Sequence, residues 1–122
     1  MAVKRVDRHF LRKVVFLSEI VYYSVCSVQE LPSGERLFIE LAGEPVVIFN
    51  IAGDVYAIAD ICTHDDGPLG EGDIEDHEII CPRHGARFDI RTGEVLALPA
   101  VKGVPSYPIR IQEGMIEIGV ME

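Results

Sequence analysis

From residue 22 onward the chain is a succession of short apolar runs, each ended by glycine, proline or small polar residues. Residues 22–28 stop at Leu31-Pro32-Ser33-Gly34. Residues 35–41 alternate, with Leu37, Ile39 and Leu41 on one face and Arg36, Phe38 and Glu40 on the other, until Ala42-Gly43-Glu44-Pro45 breaks the run. Residues 46–51 and 55–59 flank Ala52-Gly53-Asp54, and residues 109–112 and 115–120 flank Glu113-Gly114. An X-Gly pair between alternating or apolar runs is a hairpin signal, because both turn positions need a positive φ. The pattern predicts an all-β domain of about eight to ten short strands. Composition agrees: 28 Val and Ile against 8 Leu, with 11 Gly and 7 Pro, favours strands and turns over a helical bundle. A length of 122 residues fits one domain.

Two stretches break the pattern. Phe10, Val14, Leu17 and Val21 have a loose helical spacing, in a segment rich in β-branched residues. Residues 1–13 also hold five of the 11 basic side chains and one acid, Asp7, so the remaining 109 residues carry 6 basic and 19 acidic groups. This asymmetry predicts an N-terminal extension, residues 1–21, ahead of a domain at 22–122. Residues 7–13 carry arginines without the pair of a twin-arginine export signal, and the following apolar stretch is broken by Ser18 and Glu19. No run approaches the ~20 apolar residues of a transmembrane helix. The formal net charge of −9 argues against nucleic-acid and membrane partners and leaves basic proteins open. Three cysteines, an odd number, point to a reducing compartment, and the expectation is cytoplasmic.

The second break, residues 60–78, holds eight acidic residues and no lysine or arginine. It is bracketed by Cys62-Thr63-His64 and Cys81-Pro82-Arg83-His84, two paired Cys/His motifs separated by 16 residues. Two thiolates and two imidazoles form a four-ligand set for a soft or borderline metal. A single zinc ion is one reading, although one residue between Cys62 and His64 is tight for two ligands on a tetrahedral ion. A [2Fe–2S] centre of mixed ligation fits better, since each loop can give a thiolate to one iron and an imidazole to the other. Such a cluster is neutral when oxidised and singly negative when reduced, so it accepts an electron more readily than an all-cysteine one. Cys26 reads as a buried structural thiol, and His9 and His77 as surface residues. The acidic residues Asp65, Asp66, Glu71, Asp73, Glu75 and Asp76 read either as a solvated loop or as a docking rim.

The motif pair, continued by Gly85, Phe88-Asp89, Thr92-Gly93 and Ala97-Leu98-Pro99-Ala100, closely resembles the Rieske-type ferredoxins of bacterial ring-hydroxylating dioxygenase systems. The resemblance implies a Rieske-like fold of antiparallel sheets with a two-loop cluster-binding subdomain. It also implies one [2Fe–2S] cluster per chain, with Cys62 and Cys81 on an inner iron and His64 and His84 on an outer iron near solvent. A segment near residues 98–108 would cover the cluster. The extra cysteines of cytochrome bc-type relatives fall at Gly67 and Arg83, so their disulfide has no counterpart. Ala86 and Phe88 stand where those relatives place hydroxyl donors, which implies a potential near the low end of the Rieske range, roughly −150 mV.

The function implied is a soluble one-electron carrier between an NAD(P)H-dependent flavoprotein reductase and a terminal oxygenase, with no catalysis of its own. Two alternatives stand beside it. One is a structural or regulatory metal module, binding zinc or a redox-sensing cluster. The other is a protein like the small subunit of nitrite reductase, against which the intact ligand set argues.

Overall fold

The computed structural model describes residues 3–6 and 20–121. Among them are twelve strands and a single 3-10 turn at Val28–Glu30, with no α-helix. Five strands, β1 (Lys4–Val6), β3 (Arg36–Leu41), β4 (Glu44–Ile51), β5 (Asp54–Ala59) and β10 (Ser106–Tyr107), form a sheet in the order β1-β3-β4-β5-β10. β11 (Ile109–Gln112), β12 (Met115–Met121) and β2 (Ile20–Ser27) form a second sheet in that order. A third joins β6 (Ile74–Glu75), β7 (Glu78–Ile80), β8 (Arg87–Asp89) and β9 (Val95–Ala97). All pairings are antiparallel except β1 with β3.

The five-stranded sheet is the middle layer, and β4 shows why. Val46 and Ile48 pack into a core shared with Val21, Tyr23, Val25, Ile116 and Ile118 of the three-stranded sheet. Val47 and Phe49 point the other way, into a core with Cys62, Leu69, Ile79, Cys81, Ala86, Phe88 and Ile90. A strand covered on both faces reads as a continuous apolar run. Each side chain so buried contributes about 1.5–3 kcal/mol. Phe38 follows from the same arrangement. It stands on the face opposite Ile39 and Leu41, as the alternation gives, and is buried in the second core while they lie in the first.

The predicted hairpins are present. They lie at Ala52-Gly53, joining β4 to β5, and at Glu113-Gly114, joining β11 to β12; the break at Ala42-Gly43 proves to be a third, joining β3 to β4, and each pair carries two successive positive φ values. Strand β1 extends the middle sheet, with Val6 buried and Arg5 paired to Glu40 at 2.9 Å. Of the segment with helical spacing, Phe10, Val14 and Leu17 lie outside the described residues, as do His9 and residues 7–13, and Val21 is in strand β2. Cys26 is buried, and burial pushes its thiol pKa up. No helix among the described residues is long and apolar enough to cross a membrane.

Candidate metal centre

The two motif-bearing loops leave the second core side by side. The first follows β5. Asp60, just past the strand, accepts hydrogen bonds from the amides of Leu69 (2.9 Å) and Gly70 (2.6 Å), closing the loop's far end. Arg36 of β3 donates to the carbonyls of Gly70 and Gly72, tying the loop down to the middle sheet. The second loop connects β7 to β8.

Each cysteine opens a turn of the same design. The Cys62 amide donates to the Gly67 carbonyl at 2.7 Å, and the Asp66 amide returns to the Cys62 carbonyl at 2.7 Å. In the second loop the Cys81 amide donates to Ala86 (2.7 Å) and the Gly85 amide returns to Cys81 (3.1 Å). The residue four beyond each cysteine has a positive φ, +61° at Asp66 and +80° at Gly85. Glycine takes that conformation freely and Asp tolerates it better than most. No protein atom stands within 4 Å of a β-carbon built on Gly85, so its backbone angle, not crowding by the protein, favours glycine there.

These turns sort the four predicted ligands by depth. Cys62 is fully buried and Cys81 is 2% exposed. His64 and His84 are exposed, with ring centroids 5.1 Å apart and planes at 86°. Among the described residues, the potential ligand atoms of Cys62, Cys81 and Asp65 lie within 4.8 Å of one another, and neither histidine joins that group. Four donors closing on one tetrahedral ion would stand nearer together, at metal bonds of about 2.0–2.3 Å. A sulfur pair below and an imidazole pair above suits a broader, two-iron centre. Burial pushes the Cys62 thiol up, while the amides of His64 and Asp65 pull toward the thiolate. A bound cation supplies what a buried thiolate needs.

Sequence reading expects Arg83, Arg87 and Arg91 to balance part of the acidic charge locally, without saying which carboxylate each meets. The Arg83 guanidinium donates to both carboxylate oxygens of Asp65 and, at 2.7 Å, to the Pro68 carbonyl. That contact, with the Gly67 amide, holds the Asp65 carboxyl well below the usual carboxylate range and raises the guanidinium in turn. The acidic stretch thus divides. Asp65 and Glu75 are held in ion pairs, the latter with Arg87, while Asp66, Glu71, Asp73 and Asp76 face solvent. His77 is half-buried, edge-on to Tyr56 at 5.8 Å, and not the surface residue expected. The segment after β9 packs on the first loop: the Thr63 hydroxyl donates to the Lys102 carbonyl, and Ala100 and Val104 are buried. Leu98 and Val101, 75% and 81% exposed, stand outward.

A family model described as "Rieske [2Fe-2S] domain" matches residues 21–108. The 3-phenylpropionate/cinnamic acid dioxygenase ferredoxin subunit of Escherichia coli K12 is 39% identical over 99 residues, 80% of this chain and 92% of that protein. Among solved structures, the ferredoxin of carbazole 1,9a-dioxygenase from Nocardioides aromaticivorans IC177 superposes with a TM-score of 0.75 at 31% identity, covering 80% of this chain and 95% of that one. A complex of reduced oxygenase and oxidised ferredoxin in carbazole 1,9a-dioxygenase gives 0.74 at 26%, covering 80% and 91%. A structure described as "putative NADH-dependent nitrite reductase small subunit" from Mycobacterium tuberculosis gives 0.76 at 24%, covering 85% and 98%, a likeness of fold alone.

Proposed function

The chain belongs to the Rieske [2Fe-2S] domain family, and from that membership we propose that Cys62 and Cys81 bind one iron of the cluster through sulfur while His64 and His84 bind the other through nitrogen. The protein is a one-electron carrier, a ferredoxin component of an oxygenase system, with no bond chemistry of its own. When bound, the [2Fe–2S] cluster supplies a one-electron couple. The observation that carries the ligand assignment is the exposed pair of imidazoles at 5.1 Å above two buried cysteines. The buried cysteines exclude water from the sulfur side, and the imidazoles bring the site to the surface where a partner can meet it.

The partners we infer are a terminal oxygenase, which receives the electron, and an NAD(P)H-dependent flavoprotein reductase, which supplies it. The solved complex of an oxygenase with its ferredoxin supports the first. The exposed carboxylates of Asp66, Glu71, Asp73 and Asp76 would steer a basic patch toward the histidines. With Cys62 and Cys81 given to the cluster, the odd cysteine Cys26, a buried thiol, supports a cytoplasmic setting.

The direct test is electron paramagnetic resonance of anaerobically purified, dithionite-reduced protein. A rhombic signal with an average g below that of all-cysteine clusters is expected; colourless, silent protein free of iron and sulfide defeats the assignment. Replacing His64 or His84 by Cys adds negative charge at the outer iron, so the midpoint potential falls or the cluster is lost. An unchanged potential and spectrum would remove that histidine from the ligand set.

A further inference from the structure

The two ligand loops are separate excursions of the chain, and one side chain ties them together. Arg83, in the second loop, reaches Asp65 and Pro68 in the first through Nε, Nη1 and Nη2. Three directed bonds fix a planar guanidinium in position and orientation, which a point-like ammonium cannot reproduce. The first loop is shaped to admit it. A β-carbon on Gly67 would stand 2.7 Å from Arg83 Cζ, so the guanidinium rests against bare backbone. The pair is partly shielded, with side-chain exposures of 32% and 26%.

Asp65 is also within 4.8 Å of both ligand sulfurs. A carboxylate there is a competent iron ligand, adjacent in sequence to His64. Both of its oxygens are engaged by Arg83. We propose that Arg83 is a positioning residue of the cluster site: its fork on Asp65 and Pro68 sets the separation of the two loops and withholds the Asp65 carboxylate, which lies beside the two cysteine sulfurs, from the cluster. The proposal rests on the ligand assignment above.

The test uses the intact, cluster-bearing protein and three variants: Arg83→Lys, Arg83→Gln, and Arg83→Gln combined with Asp65→Asn. Three properties are measured: the rate at which visible absorbance bleaches in excess chelator, the midpoint potential, and the resonance spectrum of the reduced state. Arg83→Lys keeps the charge and loses the fork, so it bleaches several-fold faster at the parent's potential. Arg83→Gln bleaches at least tenfold faster, its potential falls, and its spectrum changes as oxygen enters the ligand set. Adding Asp65→Asn restores the parent's spectrum without restoring its lifetime.

Arg83→Gln with the parent's lifetime overturns the proposal. So does a shortened lifetime with the parent's spectrum and potential, which is what loss of a merely structural ion pair gives. If Arg83→Gln assembles no cluster, Arg83→Gln combined with Asp65→Asn decides: recovery of a cluster with the parent's spectrum supports the withheld carboxylate, and no recovery overturns it. A parent protein without iron and sulfide, or with an all-sulfur spectrum, brings down the ligand assignment itself before any variant is compared.

Discussion

Phe88 and Ala86 are fully buried in the same core as Cys62 and Cys81, and neither offers a hydrogen-bond donor from its side chain. A donor to a cluster sulfur favours the reduced, more negative state. Phe88→Tyr is therefore expected to raise the midpoint potential. A hydrogen bond of about 1 kcal/mol corresponds to about 40 mV for a one-electron couple, measurable by redox titration. A hydroxyl that finds no sulfur leaves the potential in place and lowers the melting temperature instead, since a buried unpaired donor costs about 1–3 kcal/mol. Asp89 gives a prediction on pH. Its contact with Arg91 holds its carboxyl below the usual range. A depressed folded pKa stabilises the fold above the unfolded value of about 3.9, and that contribution disappears as pH falls through the folded value. Asp89→Asn should thus melt below the parent at neutral pH, with the gap closing under about pH 4. The four proposed ligands stood out as residues, because thiols and imidazoles in that spacing have few other uses. That Arg83 would balance nearby acidic charge was legible, but its pairing with Asp65 was not, since a charged pair on neighbouring loops has no spacing signature until the loops are brought together.

Among the elements, the hairpins were the most legible, because a two-residue turn writes its backbone requirement into the sequence as X-Gly. Ala52 holds a φ of +54° that alanine adopts at a cost. Ala52→Asn should stabilise the protein by about 0.5–1 kcal/mol, read as an increase in the chemical-denaturation midpoint. Strand β1 and the short β6 were less legible. The first is three residues in a basic stretch, and the second is two residues inside an acidic one, so neither is long enough to show a period. Burial of Phe38 was less legible for a different reason: alternation marks opposite faces, but it does not say whether the second face is covered. That depends on the cluster-binding subdomain, whose apolar residues come from loops and very short strands.

At the scale of the molecule, the two cores are built differently. The one between the middle and three-stranded sheets rests largely on strands of six to eight residues. The one beneath the ligand loops sets the other face of the middle sheet against strands of two and three residues and the loops themselves. Removing iron with a chelator should loosen the second core first. Hydrogen exchange is expected to quicken at Cys62, Asp66, Cys81 and Gly85 and through β6–β9, while β2 and β12 stay protected. An equal rise in both regions would mean that the two cores unfold as one. The exposed imidazole pair has a further consequence. With both rings exposed side by side, the proposed ligand assignment gives an electron donor and an electron acceptor a single doorway. A protein built this way cannot stand as a fixed wire between two partners. It must release the one before it can serve the other, and its throughput is then governed by how quickly it changes company.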